Sequence, residues 1–381
     1  MKTEIMIIAA EASSAHYALK LMQHWKSEGK DFHYFGVGSE EMEQNGFERI
    51  GKSEEMAVVG VAEIFEQYSK LKIIFNQLVA SAKDRKPKVV ILMDYPEFNL
   101  MLSKKLFNLG IKVFYYISPQ VWAWRKSRVE IIKKYCVNTF LLFPFEVDFY
   151  KSKNVPYEFV GHPLLDELDP DLYDQQKISA RKEQFGITSN EKILALMPGS
   201  RRGELDQLLN IQLEVAKRLL KKYAHLRLMI FVAPSVKKED MQNRLENFKS
   251  PYILIKDDPN KMICLADYLL VASGTATLMV GLLHKPMVIM YKMKWLTGII
   301  ANVVVRGVKF FGLVNLILGK EVVPERKQSE VNPDELFKLM DRFIADPAYY
   351  NSTVEELKKL SSYLGDRGAT ARVAKSLEAY L

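Results

Sequence analysis

The chain has 381 residues, 48% hydrophobic and 26% charged, with 54 Lys and Arg against 46 Asp and Glu and a formal net charge of +8. That length fits two domains better than one, and the composition excludes a disordered or low-complexity chain. The only cysteines, Cys136 and Cys264, lie far apart outside any paired motif; they argue against a disulfide framework or a zinc site and fit a reducing cytoplasm.

The N-terminus is basic and then apolar at 5–10. That run is too short for the core of a signal peptide, and no stretch reaches the roughly 18–20 apolar residues of a membrane span. Residues 5–9 read as a strand, with a helix at 17–26. Further strands are expected at 32–37, 89–93, 113–117, 140–143 and 157–160, with a helix at 100–109. Such alternation makes βαβ units and a parallel sheet. A polar stretch from Asp166 to about Asn190 reads as a linker, and Asp169 and Asp171 within it as solvated polarity. Strands follow at 193–197, 228–232, 253–255, 268–271 and 287–291, with helices at 205–220 and 237–248. The expected fold is α/β: two doubly wound, Rossmann-like halves at 1–186 and 187–345, then helices at 346–381 packing across the halves. Ligands of such sheets collect at the carboxyl ends of the strands, and two-half proteins bind substrate in the cleft between.

Candidate chemistry lies at those strand ends. The segment ILALMPGSRRGEL closes a strand with a Pro-Gly turn and two arginines where a helix begins. Two guanidiniums at the positive end of a helix dipole are unfavourable unless an anion sits there. Arg201 or Arg202 can clamp a diphosphate in bidentate fashion; the plain alternative is a solvated turn. A second turn, ASGTAT, brings Ser273, Gly274 and Thr275 to another strand end. Small residues admit a phosphate to the backbone and the hydroxyls donate, although helix capping alone would explain them. No lysine follows the glycine, so this is not a Walker loop.

In the first half Asp94 ends a strand within MDYPEFN. A carboxylate there can serve as a general base or as an N-cap for the helix beginning near Pro96. Glu11 ends the first strand in a comparable place. His162, in GHP, is either catalytic or structural. Trp122 and Trp124 stand among cations in YISPQVWAWRKSR, suited to a sugar, a lipid interface or a core. Apolar residues at helical spacing fill 57–79 and 294–319 between lysines and arginines; they read as core, or in part as a surface for lipid headgroups and acyl chains. The positive charge suits nucleic acid, an anionic membrane or a phosphorylated substrate. Lysines spread evenly without a nucleic-acid motif put nucleic acid last.

Taken together, SEEMAVVGVAEIF, MDYPEFN, YISPQVWAWRKSR, FVGHPLLD, MPGSRRGEL, ASGTATL and LVNLILGKEVVPE resemble the lipid-A-disaccharide synthase family in order and spacing over nearly the whole chain. The resemblance implies a GT-B-like fold and an inverting transferase without metal or cofactor. It implies transfer of a diacylglucosamine unit from UDP to the 6-hydroxyl of a diacylglucosamine 1-phosphate. The implied location is cytoplasmic, peripheral on the anionic inner face of the cytoplasmic membrane, and a homodimer is left open. The implied roles are Asp94 as base and Arg201 at the donor diphosphate, flanked by Ser200 and Glu204. Ser273, Gly274, Thr275 and Asn315 join the donor side; Glu11, Ser13, Trp122 and His162 join the acceptor side.

Two departures stand out. The family's first loop reads Gly-Glu-x-Ser-Gly-Asp, whereas this chain has Ala10-Glu11-Ala12-Ser13-Ser14-Ala15; a positive φ at Ser14 would cost ~1 kcal/mol or more. The family's ribose-binding glutamate is replaced by Met279, a loss of about 1.5–3 kcal/mol in donor binding. These changes keep open a non-catalytic lipid- or nucleotide-binding homologue, or a GT-B enzyme using another UDP-sugar.

Overall fold

The computed structural model describes residues 2–56, 64–119, 126–256, 258–292 and 310–381. It divides into two compact units, Met1–Glu167 with Leu364–Leu381, and Leu168–Tyr363.

The first unit is built on seven parallel strands: β1 (Thr3–Ala9), β2 (Phe32–Gly38), β3 (Phe47–Lys52), β4 (Val89–Met93), β5 (Lys112–Tyr116), β6 (Asn138–Leu141) and β7 (Glu158–Phe159). Their order is β3-β2-β1-β4-β5-β6-β7. A strand covered on both faces needs an unbroken apolar run, and all five residues of β4, VVILM, are buried. The last helix of the chain, Ala369–Glu378, packs beside Ala12–Ser27. Met6, Ile8, Leu92, Leu106, Tyr115 and Tyr150 belong to one core cluster.

The second unit carries β8 (Lys192–Met197), β9 (Leu226–Phe231), β10 (Ile253–Ile255), β11 (Tyr268–Ala272), β12 (Met287–Tyr291) and β13 (Glu325–Lys327), all parallel, in the order β10-β9-β8-β11-β12-β13. The helix Arg202–Lys222 turns Leu205, Leu208, Leu209, Leu213, Ala216 and Leu219 into its core, the face its periodicity requires.

Both sheets wind outward in two directions. The reversal falls between β1 and β4 in the first sheet and between β8 and β11 in the second. In open α/β sheets ligands bind beyond the carboxyl ends of the strands at such points. Asp94 follows β4, Glu11 follows β1, Arg201 follows β8 and Ser273 follows β11, so the leading candidates occupy both switch points.

The units divide at 167/168, not at 186/187. The stretch read as a linker holds a helix, Gln175–Gln184, capped by the Asp174 carboxylate, which accepts from the N–H groups of Gln176 and Lys177. Tyr173 Oη donates to Leu282 O at 3.0 Å, and Lys182 pairs with Asp267 at 3.0 Å. These contacts hold 168–186 in the second unit. The C-terminal segment also parts: Pro347–Lys358 stays with the second unit and Ala369–Glu378 joins the first.

Candidate functional site

In the first unit the turn after β4 is tightly tied. Asp94 has φ of 49° and Tyr95 has φ of 44° and ψ of 60°, a left-handed pair without glycine. Ile117, just past β5, has φ of 63°. Each such residue costs ~1–2 kcal/mol, and a β-branched one is a marked outlier. Asn99 Nδ2 donates to Asp94 O at 2.8 Å and to Met93 O at 3.1 Å. Tyr115 Oη donates to the same Asp94 O at 2.7 Å. Burial first, and the Asp94 carboxylate second, hold the Tyr115 phenol well above its ordinary pKa, so it stays a donor. Tyr95, not Asp94, is the N-cap of the helix Pro96–Asn108, and its side chain makes no cap bond. Asp94 lies one residue before that cap, half-buried at the strand mouth.

Glu11 is the N-cap of Ala12–Ser27. Ser14 Oγ accepts from Glu11 N at 3.1 Å and donates to Glu11 O at 2.8 Å. Ser14 is thus a buried residue in the first helical turn and is not among the positive-φ residues. The strain expected there is absent because the helix begins before Ser14 and a hydroxyl closes the turn. Burial raises the pKa of Tyr95, and the charge of Glu11 adds to it, which places Glu11 near the Asp94 turn. Ser13 is half-buried beside Glu11.

His162 is 2% exposed. Its Nδ1 accepts from Leu164 N at 3.2 Å and its ring meets Tyr17 and Phe143. Burial lowers its pKa to about 3, so the ring is a neutral packing element near pH 7. Trp122 and Trp124 lie outside the described residues, as do 57–63 and 294–309 of the two apolar segments. Within the first of these, Leu78 is core and Leu71 and Phe75 pack against it, while Lys70 and Lys72 are exposed.

In the second unit the turn after β8 is shaped by Glu204. Its Oε2 accepts from Ser200 N at 2.8 Å and Arg201 N at 3.2 Å. Gly199 has φ of 117°, and a Cβ there would stand 2.3 Å from that oxygen; only glycine lets the carboxylate fold over the turn. Ser200 O accepts from Ser235 Oγ at 2.7 Å. The turn amides thus face an internal carboxylate, and the cationic groups that remain outermost are the exposed Arg201 and Arg202. Arg201 acts electrostatically on Tyr291: burial raises that phenol's pKa, Arg201 opposes the rise and Glu204 adds to it. Tyr291 stacks on Phe311 at 5.9 Å between centroids, and Lys327 Nζ lies 4.2 Å from the Phe311 ring centre. Sequence reasoning missed this aromatic step, which joins the ends of β12 and β13.

The turn after β11 is open. A Cβ on Gly274 would meet nothing within 4 Å, so backbone is accessible there. Gly274 is the N-cap of Thr275–Leu282, and Ser273 N donates to Met290 O at 2.8 Å. Met279 is 3% exposed within that helix.

Asn315 differs from its expected role. It is wholly buried. Nδ2 donates to Val323 O at 2.7 Å and Glu325 Oε1 at 2.6 Å; Oδ1 accepts from Val322 N at 2.8 Å and Val323 N at 3.0 Å. Two donors and two lone pairs exhaust a primary amide. Glu325 also accepts from Phe311 N and Gly312 N. Asn315 therefore shapes the Phe311 loop through Glu325.

Among the described residues no group of three His, Cys, Asp or Glu could hold a metal ion, and no helix is long and apolar enough to cross a membrane.

Comparison with known proteins adds the family. A family model described as lipid-A-disaccharide synthetase matches residues 5–361. The chain is 34% identical over 374 residues to the lipid-A-disaccharide synthase of Myxococcus xanthus, covering 98% of this chain and 96% of that one. It is 35% identical over 370 residues to that of Trichlorobacter lovleyi, covering 97% and 95%. In fold it is similar to UDP-GlcNAc 2-epimerase from Neisseria meningitidis, solved bound to UDP-GlcNAc (TM-score 0.62, 14% identity, 100% of both chains). It is likewise similar to the calicheamicin glycosyltransferase CalG4 (TM-score 0.59, 12% identity, 100% and 98%). The two Rossmann-like halves are those of a GT-B fold, and the chain belongs to the lipid-A-disaccharide synthase family of glycosyltransferases.

Proposed function

We propose that the protein joins UDP-2,3-diacylglucosamine to 2,3-diacylglucosamine 1-phosphate, inverting the anomeric carbon and releasing UDP. The second unit, 168–363, takes the donor. Arg201 neutralises charge developing on the departing diphosphate, a role suited to a guanidinium, and the open Ser273–Thr275 backbone receives a phosphate oxygen. The first unit takes the acceptor, with Glu11 and Ser13 beside it. Asp94 accepts the proton of the acceptor 6-hydroxyl as that oxygen attacks from the face opposite UDP. The observation that supports the reading is the placement of Asp94 after β4 and Arg201 after β8, at the switch points of the two sheets.

Exposed Ile73, Met101 and Phe107 accompany Lys70, Lys72, Lys104 and Lys105 on the first unit. This combination suits peripheral attachment to an anionic membrane from the cytoplasmic side. Met279, buried where the family has glutamate, favours a second reading in which the donor site is weakened or serves binding alone. Two measurements test and separate these readings. Mass analysis of a reaction containing both substrates shows the disaccharide if the first is right. Calorimetry with UDP at millimolar concentration shows no binding if the chain has lost its donor site.

A further inference from the structure

We propose that Asn99 and Tyr115 are positioning residues for Asp94, clamping its backbone in a conformation it would otherwise leave; this rests on Asp94 being the base. Eight non-glycine residues among those described have positive φ. Three of them, Asp94, Tyr95 and Ile117, meet at one spot, and Asp94 N donates to Ile117 O at 3.3 Å. The other five are scattered through the chain.

A turn needed only to pass from strand to helix is most easily made with glycine in the left-handed region and a Ser, Asp or Asn cap. Here the same turn uses aspartate and tyrosine, backed by isoleucine. Strain of this kind persists only where the surroundings over-determine it, and it gathers at functional sites. The over-determination is visible. One carbonyl, Asp94 O, takes two side-chain donors from two different elements: Asn99 on the following helix and Tyr115 on the neighbouring strand. Both residues are 0% exposed. Asn99 aims its amino group at two carbonyls while its own Oδ1 is buried without a hydrogen-bond partner among the described residues. A buried polar atom left unpaired is unusual and calls for an explanation. Holding the Asp94 carbonyl supplies one.

The consequence is geometric. Two donors on one carbonyl fix the orientation of its peptide plane, and that plane fixes the direction of the Asp94 Cα–Cβ bond. With a donor removed, the pair can relax out of positive φ and the carboxyl swings. A base must stay within hydrogen-bond reach of its proton, and misplacement by 1 Å can cost on the order of 10²-fold in rate.

The test is a double-mutant cycle on the full-length protein, with disaccharide formation from UDP-diacylglucosamine and the 1-phosphate acceptor as readout. Tyr115→Phe deletes one hydroxyl and is expected to lower kcat about tenfold, and Asn99→Ala about 10²-fold. KM for both substrates stays within about twofold, the acceptor KM reporting on the first unit, which carries the changes, and UDP affinity, measured by calorimetry, is unchanged in the second. In an Asp94→Asn background the same changes lower the residual rate no further, because they act only through the carboxylate. The proposal is overturned if Asp94→Asn is inactive while Tyr115→Phe and Asn99→Ala keep wild-type kcat. It is equally overturned if both lose the same factor with and without Asp94. Wild-type activity in Asp94→Asn alone overturns the assignment of the base and this proposal together.

Discussion

Asn315 Nδ2 lies 2.6 Å from Glu325 Oε1 inside the second unit, and the rest of the amide is bonded to Val322 and Val323. A residue that resemblance places against the nucleotide is thus the centre of a buried clamp. Asn315→Ala strands two backbone N–H groups and part of a carboxylate. The expected loss is about 3 kcal/mol of stability, from the 1–3 kcal/mol that each unsatisfied buried group costs. Urea unfolding measures it. A variant with unchanged stability and a selective loss of UDP affinity would show direct ligand contact instead.

Glu204 is expected to act by holding the turn. Glu204→Gln keeps an acceptor in the capping position and should bind UDP within about twofold of wild type. Glu204→Ala frees Ser200 N and Arg201 N, with an expected stability loss of ~1 kcal/mol and weaker UDP binding by roughly tenfold. Equal UDP affinities for Gln and Ala variants in calorimetry would argue that the turn holds its shape without the carboxylate.

Arg201→Lys preserves charge but not the planar fork. About tenfold weaker UDP binding is expected from the loss of one charge-assisted bond, with Arg201→Ala weaker still. Chelation by EDTA should leave the rate unchanged, since the guanidinium carries the departing charge. A Lys variant as tight as wild type would make Arg201 a distant charge.

How far these features could be read in advance depends on where their partners lie in the chain. Buried parallel strands announce themselves because both faces are apolar, as in the VVILM of β4. The edge strands β3 and β13 do not: buried and exposed residues mix in β3, and β13, Glu-Arg-Lys, has no buried residue. Gln175–Gln184 stayed hidden because only Ile178 of the helix is buried. The Asp94 and Arg201 turns are legible as strand ends. Asn99 was within sight too, five residues from Asp94 in the same motif. Tyr115 comes from another strand, and only folding brings it to Asp94 O. The same holds for Asn315, whose role depends on a carboxylate ten residues away.

His162 makes the fold acid-sensitive. Burial lowers its pKa from 6.5 to about 3, so below pH 6.5 the unfolded chain binds a proton that the folded one refuses. Stability from this group is full above about pH 6.5 and falls as pH drops towards 3. Between pH 7 and 5 the loss should be about 2 kcal/mol. His162→Gln, which cannot be protonated, should lack this part of the pH dependence in denaturant titrations. Parallel curves for the two proteins would mean that the ring becomes protonated in the folded state.

The most direct test is the rate of disaccharide formation by Asp94→Asn protein given UDP-2,3-diacylglucosamine and 2,3-diacylglucosamine 1-phosphate, with UDP affinity measured on the same sample. If Asp94 is the base, the rate falls on the order of 10³-fold while UDP binds as to wild type. A variant that makes disaccharide at the wild-type rate would contradict that assignment.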